Sequence, residues 1–243
     1  GSAAFSKGTG AGTVIFTGSN AGNSGAFTIN GGTVQIGNGG LTGTLTTGTV
    51  TDNGNLVFYR TASAGTVLTL GSMMGAGSIT GTGNFTFNAP SNALTIDRAI
   101  TLTGANSRIL LEADSGAAAG ATLTSDLILT STVTTTATGT ITIFAGSPTA
   151  TPATGATSVL LGKMAGATGA VQYKNYYSSV AALSGAVSGT RNFYYRSRPS
   201  LTITGGSLLD NKVYDGNLSV AATPTPGSVS GNVDGDTMGA VFQ

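Results

Sequence analysis

"KGTGAGTVIFTGSNAGNSGAFTINGGTVQIGNGG", residues 7–40, places three short runs between clusters of glycine and asparagine and carries one charged side chain, Lys7. In TVIFTG (13–18), AFTIN (26–30) and TVQIG (33–37) apolar residues alternate with polar ones, the period-two pattern of a half-buried strand. The Gly and Asn separators allow positive φ and side-chain-to-backbone turns, so each strand stops after about five residues. The stretch therefore predicts short strands joined by tight corners.

The same pattern continues down the chain. NLVFYR (55–60), TVLTLG (66–71), NFTFN (84–88), ALTID, AITLTG, RILLEAD, DLILT and TITIFAG are each β-branched or aromatic runs bounded by turn residues, and helical periodicity is nearly absent. Corresponding apolar positions recur about every 20 residues or a little more, at Val14, Val34, Leu56, Ile79, Ile100, Leu123, Ile141 and Val159. A β-sandwich also contains many short strands. A parallel β-solenoid explains more, because small corner residues permit sharp bends and each strand pairs with its equivalent above and below. Val14, Phe16, Val34, Ile36, Leu56, Phe58 and Ile79 are the expected core.

Composition limits what such a chain can do. Its 243 residues include no Cys, no His and no Trp, 39 Gly, and only 8% charged residues, against about 25% in ordinary globular domains. The commonest general base and metal ligand is absent, and so is any thiolate site. A net charge of +1 gives no electrostatic footprint for nucleic acid. The 40% apolar content in regular runs opposes disorder. No apolar run reaches the roughly 18 residues of a membrane-spanning helix. Gly1-Ser2 begins without basic or apolar signal regions and reads as a mature or cut terminus.

Two stretches carry a family resemblance. FSKGTGAGTVIFTGSNAGNSGAFTINGGTVQIGNGG, then GTVTDNGNLVFYR and MMGAGSITGTGNFTF, resembles the passenger repeats of bacterial autotransporters and related large exoproteins, with Thr17-Gly18-Ser19-Asn20 and Gly31-Gly32-Thr33 at the repeat's turn positions. The likeness is good over residues 5–90 and general in style over 90–190. It implies a right-handed parallel β-helix exported to the cell surface or beyond. RPSLTITGGSLLDNKVYDGNLSVAATPTPGSVSGNVDGDTMGAVFQ is similar to the opening of the YDG domains of filamentous-haemagglutinin-like exoproteins, on Lys212-Val213, the motif Tyr214, Asp215 and Gly216, and Gly235-Asp236-Thr237. That likeness implies an Ig-like β module, here incomplete.

The expected organisation is all-β: a right-handed parallel β-helix over 1–172, a Tyr/Arg-rich cap and linker over 173–198, and a partial Ig-like module over 199–243. The cap stretch holds Tyr173, Tyr176, Tyr177, Arg191, Tyr194, Tyr195 and Arg196. These types favour interface hot spots and form the candidate interaction patch. They also suit the capping of an open solenoid end, which is the stronger expectation.

Few other groups offer chemistry. Glycosidases need two carboxyl groups at about 5–9.5 Å; Glu112 and Asp114 face one side if their strand continues, and Asp97 lies near Arg98 and Arg108. NVDGDT (232–237) lacks an EF-hand or repeat-calcium pattern, and the glycines near residue 10 lack the P-loop Lys. No catalytic residue, cofactor or metal is expected. Thr-rich TLTTGTVT (44–51) and TSTVTTTATGTITI (130–143) raise an ice-binding ladder, against ordinary β-propensity. The leading expectation is a secreted or cell-surface segment acting in adhesion or as an extracellular structural element. Its partners are a host or neighbouring cell surface, or other copies of itself joined into filaments through the C-terminal module. A polysaccharide-active enzyme is the remaining alternative; nucleic acid and membrane insertion are not expected.

Overall fold

The computed structural model describes residues 3–20, 24–45, 48–114, 116–118, 127–146, 160–169, 171–175, 189–195, 202–204 and 228–230. The chain divides into two units, Gly1–Arg198 and Pro199–Gln243.

In the first unit the polypeptide visits three sheets in turn. Seven strands form one sheet in chain order: β1 (Phe5–Lys7), β3 (Phe27–Ile29), β5 (Val50–Asp52), β8 (Ile79–Gly81), β11 (Ile100–Leu102), β14 (Val133–Thr134) and β16 (Met164–Ala165). A second sheet stacks β2 (Thr13–Phe16), β4 (Thr33–Ile36), β6 (Asn55–Tyr59), β9 (Asn84–Ala89), β12 (Arg108–Ala113) and β15 (Thr140–Ala145). It ends with β18 (Arg191–Tyr195) and then β17 (Val171–Asn175). The third sheet is shorter: β7 (Leu68–Thr69), β10 (Leu94–Ile96) and β13 (Leu127–Leu129). All pairings in these sheets are parallel. The fold is a right-handed parallel β-helix, with the handedness that parallel crossovers favour.

Register makes the core. In the second sheet Val14, Val34, Leu56, Phe85, Ile109 and Ile141 stand directly above one another, and so do Phe16, Ile36, Phe58, Phe87, Leu111 and Ile143. From Val34 and Ile36 onward every member is buried. Phe58 and Phe87 pack with ring centroids 5.5 Å apart and planes tilted by 34°. The column found in the sequence drifts: Ile79 and Ile100 are buried, but they belong to the first sheet, paired with each other. The cause is a coil that lengthens after Tyr59. The added residues include β7 and a short helix, α1 (Leu70–Met74), so TVLTLG is strand only at its centre. Asp97 Oδ1 accepts a 2.7 Å hydrogen bond from the Gly71 N–H in α1.

Val14 departs from expectation in burial, though not in register. It is 36% exposed and Ile15 is 48% exposed, because β2 has a paired neighbour on one side only. Phe16 is half-buried and packs with Phe5 and Phe27, the last two stacked at 4.4 Å.

Asparagine side chains tie the corners. Asn55 Nδ2 donates to the Gly32 carbonyl at 3.2 Å, Asn84 Nδ2 to Asn55 Oδ1 at 3.0 Å, and the Arg108 N–H to Asn84 Oδ1 at 2.9 Å. This ladder joins four successive coils and satisfies polar groups at the strand starts. Lys7 likewise spends its ammonium on the corner, donating to the Gly10 carbonyl at 2.6 Å.

In the second unit β19 (Thr202–Thr204) pairs antiparallel with β20 (Ser228–Ser230).

Candidate functional site

The Tyr/Arg stretch contains the fold's one departure from sequential stacking among the described strands. β18 lies between β15 and β17, so the later strand fills the inner position and the earlier one takes the outer. Arg191 stands in line with Ile141 and Val171, half-buried, in a column otherwise apolar from Val14 onward. Tyr195 is fully buried in the main core beside Phe193. Tyr194 is also buried, on the opposite face, where it joins Phe144 and half-buried Leu110 in a second cluster. Tyr194 and Tyr195 thus contribute to packing, and neither offers its ring to solvent. Tyr173 lies on the outer strand β17. Tyr176, Tyr177, Arg196 and the motif Tyr214, Asp215 and Gly216 lie outside the described residues.

The acids are occupied by structure. β12 ends at Ala113 and Asp114 takes φ 52°, so the alternation from Glu112 to Asp114 does not continue as strand. Both side chains are buried, at 2% and 8% exposure. Asp97 is paired with Arg98 at 2.9 Å. Arg98 also donates from Nε to the Gly75 carbonyl at 2.6 Å, so the pair fastens the end of α1. Among the described residues there is no group of three or more metal-ligating side chains and no helix long and apolar enough to cross a membrane.

Asp52 gave no signal in the sequence, where TDNG reads as an ordinary turn. It is fully buried on the inward side of β5, with Ile29 opposite on β3. Oδ1 accepts from the Gly54 N–H at 3.0 Å, while Oδ2 is buried with no hydrogen-bond partner. Burial pushes the carboxyl from 3.8 up to about 7, against the opposing pull of backbone N–H groups at Gly54 and Leu56. The next strand bends around it: Gly81, at φ 144°, leaves no room for a Cβ against the Asp52 backbone. A carboxyl sealed in this way contributes to pH-dependent stability and has no route to a substrate.

The outward face of the first sheet is the most regular surface among the described strands. Thr28, Thr51, Thr80, Thr101 and Thr134 stand in one directly paired column, continued by Ser6 at one end. Only Thr51 and Thr134 of this column lie in the two Thr-rich stretches; Thr28, Thr80 and Thr101 come from elsewhere in the sequence.

Compared with family models, curated proteins and solved structures, the chain matches none. What is established is the class of fold: a repetitive parallel β-solenoid.

Proposed function

We propose that the chain is a segment of a large, secreted or surface-exposed bacterial exoprotein of the autotransporter or filamentous-haemagglutinin-like kind, serving as an extracellular structural or adhesive module. The observation that carries this reading is the use of polar groups. Asn55, Asn84, Asp97 and Arg98 are spent on corners and strand starts that hold one coil to the next, and Lys7 is spent on its own corner. A chain so committed to stacking presents shape and length, the properties a stalk or display scaffold needs. The repeat resemblance over residues 5–90 supports the exoprotein context, and the YDG-like stretch supports a further β module later in the sequence.

On this reading the chain is not an enzyme. Burial of Glu112 and Asp114, and the pairing of Asp97 with Arg98, speak against glycosidic chemistry by these acids. Incubation with pectin, xylan and hyaluronan should release no new reducing ends or unsaturated products. The location is tested with antibodies against the chain on intact source cells. Labelling without permeabilisation is expected; labelling only after permeabilisation overturns the proposal.

A further inference from the structure

The first and second sheets climb together for most of the chain. Each strand of the first is followed by the strand that holds the same place in the second: β1 by β2, β3 by β4, β5 by β6, β8 by β9, β11 by β12 and β14 by β15. By that rule β16 should lead to a strand seated directly on β15. It leads instead to β17, one place further out, because β18, the next strand of the chain, holds the seat. Exchanging β17 and β18 would restore the direction of climb that every earlier coil keeps.

Register lets either strand take the seat. β15 meets β18 from Ile141 with Arg191 to Ala145 with Tyr195, and β18 meets β17 over the same positions, from Arg191 with Val171 to Tyr195 with Asn175. β17 is therefore already in line with β15, residue for residue. A sideways step of about 4.8 Å would bring Val171 to Ile141 with no slip along the strand. The edge of β15 offers the same backbone donors and acceptors to both. The 15 positions between Asn175 and Arg191 reach up to about 50 Å when extended, so the length of the connection ties β18 to neither side.

Side chains set the two seatings close in free energy. In the observed order Phe193 and Tyr195 are fully buried in the core, which favours β18. The same strand brings half-buried Arg191 into line with Ile141, and its Nε is buried without a hydrogen-bond partner. A buried donor left unsatisfied opposes that seating. β17 would place Val171 at this position, with Tyr173 and Asn175 where Phe193 and Tyr195 stand. Each seating gains at one end of the strand what it loses at the other. We propose that the last coil is a two-state strand-insertion device, in which β17 and β18 exchange the seat on β15 and so change which strand lies outermost in the second sheet. This is independent of where the chain is displayed or what it adheres to.

The chain has no cysteine, so paired cysteines report the order of strands. Thr142, Asn192 and Gln172 are in line on β15, β18 and β17. In the observed order Thr142→Cys and Gln172→Cys stand two strand spacings apart, about 9.6 Å, beyond the roughly 7 Å between Cα atoms that a disulfide spans. After exchange they are neighbours. Thr86→Cys with Thr142→Cys, two spacings apart across Leu110, is the matched control from the sequential stack. Under a mild oxidant the 142–172 pair should close within single chains several-fold faster than the 86–142 pair. Adding Arg191→Leu should slow that closure several-fold, and adding Phe193→Ala should speed it several-fold. Circular dichroism checks that each variant folds; Arg191→Gln and Phe193→Leu replace any that do not. Closure of the 142–172 pair no faster than the control overturns the proposal. So does closure that fails to move in opposite directions in the two added variants. Disulfides formed between chains in place of those within chains would assign the exchange to two copies and equally overturn it.

Discussion

Val14 and Leu56 occupy the same column of the second sheet, two strands apart, yet one is 36% exposed and the other fully buried. Their local sequences, GTVIF and GNLVF, are nearly interchangeable. The difference lies in the neighbours: β6 has a strand on each side and β2 on one. In this fold a strand does not bury its own inner face; the coils above and below do. The free energy of folding therefore resides between coils.

Substitutions at equivalent positions should break this equivalence most. Leu56→Asp puts an unpaired charge into a dry column and should cost more than about 4 kcal/mol, visible as loss of the cooperative melt by circular dichroism. Val14→Asp, in the same register, should cost under about 1 kcal/mol, since its charge can reach water. Equal effects would show that burial is set by local sequence.

The next contrast sets Asp52 against the apolar residues around it. Its carboxyl titrates near 7 in the folded chain and at 3.8 ordinarily, so between those values the folded state holds one proton more. Stability from this group is full below about pH 4, declines as pH rises toward 7 and is flat above. The span is on the order of 4 kcal/mol at most. Asp52→Asn, which cannot ionise, should remove that decline and melt higher than wild type at pH 8. A wild-type midpoint that rises through this window, or a variant with the same slope, would contradict the assignment.

Smaller effects should come from the corner ladder. Asn84→Ala removes the donor to Asn55 and the acceptor for the Arg108 N–H, a loss of about 1–2 kcal/mol. The Asn30 side chain donates to the Ser6 hydroxyl at 3.2 Å in an exposed corner, so Asn30→Ala should move the melt by less than about 0.5 kcal/mol.

Strand composition and Gly/Asn punctuation made the solenoid readable from sequence, because period-two alternation and small corner residues are local properties. Core positions followed where coils keep a length of 20–22 residues, as from Val14 to Val34 to Leu56. The column failed at Ile79, where α1 and β7 lengthen the coil and the repeat no longer marks one sheet. The reversed order of β17 and β18 leaves no trace in the strand pattern, since either order presents the same alternating residues. For Tyr194 and Tyr195 a cap is the stronger reading of the sequence and a surface patch the weaker, because aromatic residues serve interfaces and cores alike. The threonine face was half legible: TVT at 49–51 and 132–134 stand in Thr-rich stretches, whereas Thr28 and Thr101 gain meaning only once register places them in line. Asp52 was hidden, because aspartate before Asn-Gly is what an exposed turn would also show.

The central claim is that distant segments are stacked in register, one strand per coil. With no native cysteine, spin labels can be placed at Thr28→Cys and Thr134→Cys, 106 residues apart in the chain and on opposite sides of β5, β8 and β11. Four inter-strand steps put their backbones about 19 Å apart. Pulsed electron paramagnetic resonance should give one narrow distribution centred near that distance, widened only by the label linkers. A broad distribution, or one centred beyond about 30 Å, would contradict in-register stacking and with it the β-solenoid.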